Sequence, residues 1–454
     1  MRKAHVLVVP YPAEGHIIPL LELSQRLVQH GLEVTFVITE HIQQKMWGSN
    51  SIGGGESNII GVALIEDGLS LEDRNRPGKL SESVLLVMPG KVEELIEKMK
   101  NNGVVISCVV CDQSLCWALD IAKRKQIKSA AFCPAAAALL LQSFNIPTFI
   151  DQGIILEDGT LVKKQIIKLS PEMPAMNSAH FVWTCLGPLG NKEMQKNVFQ
   201  LMLKNNNSVN NTNWLLCNST YDLEPAAFNM APQIRPIGPL LASNNRLLSS
   251  DPQDSKCLKW LDQQKPQSVL YLAFGSSTIF NPTQFRELAL GLELSNTPFL
   301  WVVRATKTEE ASKGGLFPER FLERVANRGL IVDWAPQQKV LSHSSVACFV
   351  SHCGWNSTVE GVSYGVPFLC WPYFADQFIN QSYICDVWRT GLGFDRDKSG
   401  VITRDEIRIK VERVINDEEM KERALRFKEM AANIVDEGGS SNKNFRDFVE
   451  WVKS

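Results

Sequence analysis

The chain has 454 residues, 44% hydrophobic and 21% charged, which is too long for one compact core and suits two domains of ordinary size. Its 47 basic and 49 acidic residues leave a net charge of −2, so no field of one sign favours nucleic acid or an anionic membrane as partner. A small molecule is the expected ligand.

From the start, Ala4–Val9 reads as a first strand and is too short for a signal peptide, being followed at once by Pro10 and Pro12. The apolar region Ala130–Leu141 is broken by Pro134 and falls short of the roughly 20 residues of a spanning helix. The expectation is a cytoplasmic monomer. Eleven cysteines lie mostly in apolar runs (Cys108, Cys111, Cys217, Cys348, Cys370) and read as reduced core thiols. Cys108 and Cys111 have CxxC spacing but no helix start beside them to lower a thiol pKa. Sequons at Asn206, Asn210, Asn218, Asn356 and Asn380 carry no weight outside the secretory route.

Short apolar runs then alternate with amphipathic stretches: helix Leu20–His30, strand Val34–Ile38, helix Ser83–Lys100, strand Val104–Val110, helix Cys116–Lys125. Gly53-Gly54-Gly55 reads as a loop. The βαβ rhythm weakens over Asp151–Leu240, and the polar stretch at 242–256 reads as a linker. It restarts with strand Ser268–Phe274, helix Pro282–Glu293, and strands Phe299–Val303, Leu330–Val332, Ala347–Val350 and Phe368–Cys370. An α/β fold of two Rossmann-like βαβ domains follows, 1–241 and 257–435, facing across an interdomain cleft. Neither G-x-G-x-x-G after a strand nor a P-loop is present.

The strand Val346–Ser351 runs into His352-Cys353-Gly354-Trp355-Asn356-Ser357, and Ser357 with Glu360 has the spacing of a capping box. A strand turning through glycine into a helix presents backbone N–H groups and a positive dipole end, a seat for phosphate that His352 can complete.

Trp334-Ala335-Pro336-Gln337-Gln338, His352 through Ser357, Glu360-Gly361, Gly365-Val366-Pro367, Trp371-Pro372 and Asp376-Gln377 resemble the donor-binding box of plant family-1 UDP-glycosyltransferases. Pro12-Ala13-Glu14-Gly15-His16 with Pro19, and Phe274-Gly275-Ser276-Ser277, extend the resemblance over the whole chain. It implies the GT-B fold, with a final helix in 436–454 returning to the first domain. It also implies UDP-glucose as co-substrate, no other cofactor and no metal. By the same resemblance Trp334 stacks on uracil and the Ala335 backbone bonds the base. Gln337 and Glu360 hold the ribose; Ser276, Ser277, His352, Gly354, Asn356 and Ser357 surround the diphosphate; Trp355, Asp376 and Gln377 read the sugar; and Gly15 is a further donor-binding position. Glutamine at the last position goes with glucose.

Glycosyl transfer to a hydroxyl needs a base. His16 and Asp112 both follow strands of one sheet, and a carboxylate on one imidazole nitrogen would fix the tautomer while the other takes the proton. The resemblance assigns them those roles in an inverting O-glucosyl transfer to a small lipophilic acceptor, a phenolic, flavonoid or other plant secondary metabolite. The alternatives are UDP-sugar binding without transfer, transfer to carbon or nitrogen, and a terpenoid acceptor.

Two features depart from the family pattern. Glu14 replaces an uncharged glutamine and could raise the His16 pKa, and Phe132-Cys133-Pro134-Ala135 lacks a hydroxyl often given to the sugar. For the acceptor surface, Phe144, Phe149, Phe181, Trp183, Leu186, Phe199 and Phe374 are candidates. Asp395–Glu406 fits a calcium-loop pattern, although Thr403 and Glu406 also read as a helix cap. His343, Cys348, His352 and Cys353 make a weak zinc set.

Overall fold

The computed structural model describes residues 3–47, 60–74, 76, 78–187, 190–209, 212–241, 252–276, 278–304 and 317–454. Gly53-Gly54-Gly55, Asn210, Ser277 and linker residues 242–251 lie outside them. The chain divides into two compact units, Met1–Ser249 with Phe374–Asp376 and Asn433–Ser454, and Ser250–Tyr373 with Gln377–Ala432.

The first unit holds a parallel sheet of β1 (His5–Val9), β2 (Glu33–Thr39), β3 (Gly61–Ile65), β4 (Ile106–Asp112), β5 (Lys128–Cys133), β8 (Trp214–Cys217) and β9 (Ile234–Pro236). Between β5 and β8, the short β6 (Ile166–Ile167) and β7 (Met176–Asn177) form a separate antiparallel ribbon. The sheet order β3-β2-β1-β4-β5-β8-β9 reverses direction between β1 and β4. Val6 and Val8 lie two apart on one face of β1, and Leu20, Leu23 and Leu27 repeat at helical spacing along Glu14–Gln29. These two periodicities meet in one core.

The final helix, Ser440–Lys453, belongs to this unit. Phe445, Phe448, Val449 and Val452 are buried in the same core, Asn444 Nδ2 donates to Pro236 O at 2.9 Å, and Lys128 Nζ donates to Trp451 O at 2.7 Å. The Lys128 ammonium thereby sits at the negative end of that helix.

The second unit repeats the plan with β10 (Val269–Ala273), β11 (Phe299–Val302), β12 (Gly329–Val332), β13 (Val346–Ser351), β14 (Phe368–Cys370) and β15 (Gly391–Gly393), all parallel in the order β12-β11-β10-β13-β14-β15. Trp371 packs edge-on against Phe274 and Phe280, and Trp371 and Cys370 are buried core. The order reverses between β10 and β13. Ligands in such sheets bind outside the strand ends at that reversal.

Two expectations change, and the reading of Cys108 and Cys111 as core thiols holds. The helix expected at Leu20–His30 begins at Glu14, so His16 lies in its first turn and Pro19 removes only one backbone bond, the one to Gly15. The helix expected over Ser83–Lys100 is two, Lys79–Leu86 and Met88–Asn101, because Pro89 suits a helix start and not an interior. Cys108 and Cys111 are buried within β4, where burial raises both thiol pKa values, so neither is the acidic thiol of a redox pair. All eleven cysteines are free.

Candidate active site

In the first unit the reversal point carries His16, just past the end of β1, and Asp112, the last residue of β4. His16 Nδ1 and Asp112 Oδ2 are 2.7 Å apart. Asp112 is fully buried, whereas the His16 side chain is 33% exposed, so one imidazole edge is anchored and the other is reachable. The second carboxylate oxygen accepts from Ser114 N at 2.8 Å, which fixes the plane of the carboxylate. The Tyr11 ring lies 5.0 Å from the imidazole.

Burial acts to lower the His16 pKa, but the charge and hydrogen bond of Asp112, with Asp376 behind them, raise it above the ordinary 6.5 overall. Glu14 pairs instead with Lys45 Nζ at 2.9 Å. The raising carboxylates are Asp112 and Asp376, so the effect anticipated for Glu14 has a different source. Phe374–Asp376 groups with the first unit, where Ala375 N donates to Cys185 O at 2.8 Å. Gly15 is exposed beside His16, with open space where a side chain would project.

The second unit carries the matching notch between β10 and β13. His352 follows β13, and its Nε2 fits between two glycines: a Cβ on Gly275 would fall 2.7 Å from it, and one on Gly354 2.5 Å. Gly275 also has φ +67, a conformation that side-chain-bearing residues rarely adopt. Burial pulls the His352 pKa down to about 4, against the opposing effect of the Ala273 carbonyl, so the ring is neutral near pH 7 and offers an N–H without a full charge.

Gly354 is the N-cap of the helix Trp355–Tyr364, and no side chain caps it. The Ser357–Glu360 capping box is therefore absent: the helix starts ahead of Ser357, and Glu360 is engaged elsewhere. Gln337 Nε2 donates to Glu360 Oε2 at 2.6 Å and to Ser357 Oγ at 2.9 Å, while Gln338 Nε2 donates to Glu360 Oε1 at 3.0 Å. Burial raises the Glu360 pKa and the two amides oppose it. A carboxylate with about four lone-pair sites can hold these amides and still accept from a vicinal diol.

Trp334 keeps an exposed face, Ala335 is buried beside it, and Tyr271 OH donates to Gln337 Oε1 at 3.2 Å. Trp355, Asn356 and Ser357 make up the first turn of the helix. Gln377 opens the next helix, its Oε1 accepting from Tyr373 N at 2.7 Å, and Ser276 is exposed on the turn after β10. Tyr271 and Tyr11 carry no signature in the sequence, and Gln338, though part of the Trp334–Gln338 motif, was assigned no role there. Their roles come from contacts 20 to 70 positions away or from a ring face that spacing does not reveal.

Four acceptor candidates are corrected. Phe149, Phe181, Trp183 and Phe199 are fully buried and packed in series, at 4.9, 4.8 and 5.3 Å between neighbouring ring centroids, and Trp183 Nε1 donates to Gly159 O. They form a closed core cluster and have no surface to offer a ligand. Phe144, Leu186 and Phe374 are half-buried. Cys133 is buried with its thiol turned to Ala135 O, so this stretch supplies no hydroxyl.

The calcium-like loop follows β15 and has no entering helix. Lys410 Nζ lies 3.0 Å from Asp395 Oδ2 and 3.4 Å from Glu406 Oε1, putting an ammonium between the first and last carboxylates of the pattern. Asp397 Oδ1 accepts from Ser399 N and Val401 N as an ordinary turn, and Thr403 caps the helix Arg404–Asn416. His343 is bonded to Ser345 and Asp262, away from Cys348 and Cys353.

Comparison with known proteins gives the same picture. A family model described as UDP-glucoronosyl and UDP-glucosyl transferase matches residues 4–433. The chain is 48% identical over 469 residues to UDP-glycosyltransferase 83A1 of Arabidopsis thaliana, covering 100% of this chain and 98% of that one. A UDP-glucosyltransferase from Polygonum tinctorium capable of glucosylating indoxyl superposes with a TM-score of 0.84 at 27% identity over 100% of both chains. Os79 from O. sativa, in complex with UDP, superposes with a TM-score of 0.78 at 28% identity over 98% of this chain and 100% of that one. The chain belongs to the UDP-glucoronosyl and UDP-glucosyl transferase family and is a UDP-glycosyltransferase with the two Rossmann-like domains of the GT-B fold.

Proposed function

We propose that this glycosyltransferase moves glucose from UDP-glucose, with inversion, to a hydroxyl of a small lipophilic plant metabolite, with His16 as general base and Asp112 as its orienting carboxylate. The observation that carries the reading is the 2.7 Å contact between His16 Nδ1 and the buried Asp112, at the sheet's reversal point and with the rest of the imidazole accessible. With the Nδ1 proton directed at Asp112, Nε2 holds the lone pair. The acceptor O–H proton passes to Nε2 as the oxygen attacks the anomeric carbon, and the bond from that carbon to the diphosphate breaks on the opposite face. UDP departs with the electron pair, and Asp112 stabilises the imidazolium left behind. An α-linked donor thus gives a β-glucoside.

The donor is held by the second unit in this reading. Trp334 faces the base, Gln337 and Glu360 the ribose, and His352 with the Gly354-capped helix the diphosphate. Gln377, whose Oε1 accepts from Tyr373 N, reads sugar hydroxyls in this account. Eleven free thiols favour a reducing compartment, consistent with a cytoplasmic enzyme.

The test is turnover of UDP-glucose with a panel of phenols. His16→Ala is expected to lower kcat by about 10²–10⁴-fold while UDP affinity stays unchanged. Wild-type kcat in that variant would overturn the assignment.

A further inference from the structure

Cys353 stands between His352 and Gly354 with φ +64, a left-handed conformation that costs a side-chain-bearing residue energy unless its surroundings impose it. Those surroundings are specific. Cys353 N donates to Ser351 Oγ at 3.1 Å, and its thiol is turned to Ser351 O at 3.4 Å. Asn380 Nδ2 donates to Cys353 O at 2.9 Å. Ser351, Cys353 and Asn380 are all fully buried, so water cannot substitute for these bonds.

The position of Asn380 gives the contact a function. It lies in the helix Gln377–Ser382, whose first residue is Gln377, and it reaches across to the turn between His352 and the helix Trp355–Tyr364. That turn decides two things at once: where His352 Nε2 points between Gly275 and Gly354, and where the uncapped start of the following helix is aimed. If Cys353 relaxed to an ordinary negative φ, the backbone on either side would rotate and both would move.

We propose that Asn380 is a positioning residue for the sugar-nucleotide donor, holding Cys353 in its left-handed conformation and so fixing the diphosphate seat and the sugar-reading helix in one geometry. This rests on the reading that the turn after β13 holds the diphosphate. Asn380 touches neither nucleotide nor sugar in this account; it acts through the Cys353 carbonyl.

Three variants test it, with UDP titrated calorimetrically and kinetics run against UDP-glucose. Asn380→Ala is expected to weaken UDP binding by about tenfold and to raise KM for UDP-glucose in step, with kcat changed little. Cys353→Gly is expected to bind UDP like wild type, since glycine adopts φ +64 without strain. Combined with Asn380→Ala it should restore most of the lost affinity. Should Asn380→Ala alone prove unfolded, the proposal stands on the folded double variant binding UDP near wild-type strength, and falls if the double variant is unfolded or binds ten times more weakly. Unchanged UDP affinity in a folded, thermally weakened Asn380→Ala would make the residue merely structural and overturn the inference. Absence of UDP binding by the wild-type protein would instead remove the donor reading beneath it.

Discussion

Asp112 uses one oxygen for His16 and the other for Ser114 N, so its charge and its orientation are both committed. The proposed reaction needs the neutral His16 ring; burial lowers its pKa, and the charge and hydrogen bond of Asp112 together with Asp376 raise it above 6.5 overall. Activity should therefore fall as pH drops through that raised value. In Asp112→Asn the raising charge is gone, so the acid limb of kcat/KM is expected to move to lower pH. kcat itself should drop by about 10²–10⁴-fold, because an amide N–H directed at Nδ1 favours the wrong tautomer. A pH–rate profile measures both, and an unmoved limb would separate the titration from His16. The two residues were legible in the sequence as positions after strands of one sheet, and their pairing was expected from that placement and the family resemblance; what the sequence could not supply is the 2.7 Å geometry across 96 residues. The buried aromatic series shows the opposite case: Phe149, Phe181, Trp183 and Phe199 have the composition of a ligand wall, and only their burial identifies them as core.

Among elements, the helix Ala137–Phe144 begins at an N-cap alanine that has no oxygen to give. The buried Glu224 supplies the missing acceptor from 87 residues away, accepting from Ala137 N at 2.8 Å, Ala138 N at 2.9 Å and Ser219 Oγ at 2.6 Å. Glu224→Ala strands these donors in the interior and is expected to lower stability by about 2–4 kcal/mol, read from the urea midpoint, with Glu224→Gln losing less because it retains an acceptor. A remote cap of this kind leaves no local signature. The strands with continuous apolar runs, such as β13 and β14, were legible to within a residue or two. β15 was not, since Gly391 and Gly393 resemble a loop, and β3 was not, since its alternating exposure dilutes a five-residue signal. The Ser357–Glu360 spacing misled because the same two residues serve a lateral network with Gln337 and Gln338.

Over the whole molecule, a seven-stranded and a six-stranded sheet, ordered alike apart from the extra edge strand β9, each open a notch at the reversal, one furnished with His16 and Asp112 and the other with His352 and Gly275. The βαβ alternation made this duplication readable, whereas the return of the chain to the first unit was implied only by family resemblance. Phe445, Phe448, Val449 and Val452 complete the first core, and burying each contributes about 1.5–3 kcal/mol, a gross term that matters because the net stability of a domain is only about 5–15 kcal/mol. A chain ended after residue 436 is expected to lose the cooperative thermal transition of the first unit, a loss calorimetry would detect. A retained transition would show the helix to be dispensable.

That closing helix also sets an order of events during synthesis. The ribosome releases the seven described strands of the first sheet before any of the second, yet Phe445 and Phe448 of the first core are made only after the last described strand of the second sheet. The second unit, complete by Ala432, has every residue it needs while the earlier half still exposes the surface meant for Phe445 and Phe448. The unit begun first is thus completed after the second, and a nascent chain stalled between Ala432 and Phe445 leaves the apolar surface of the first core open.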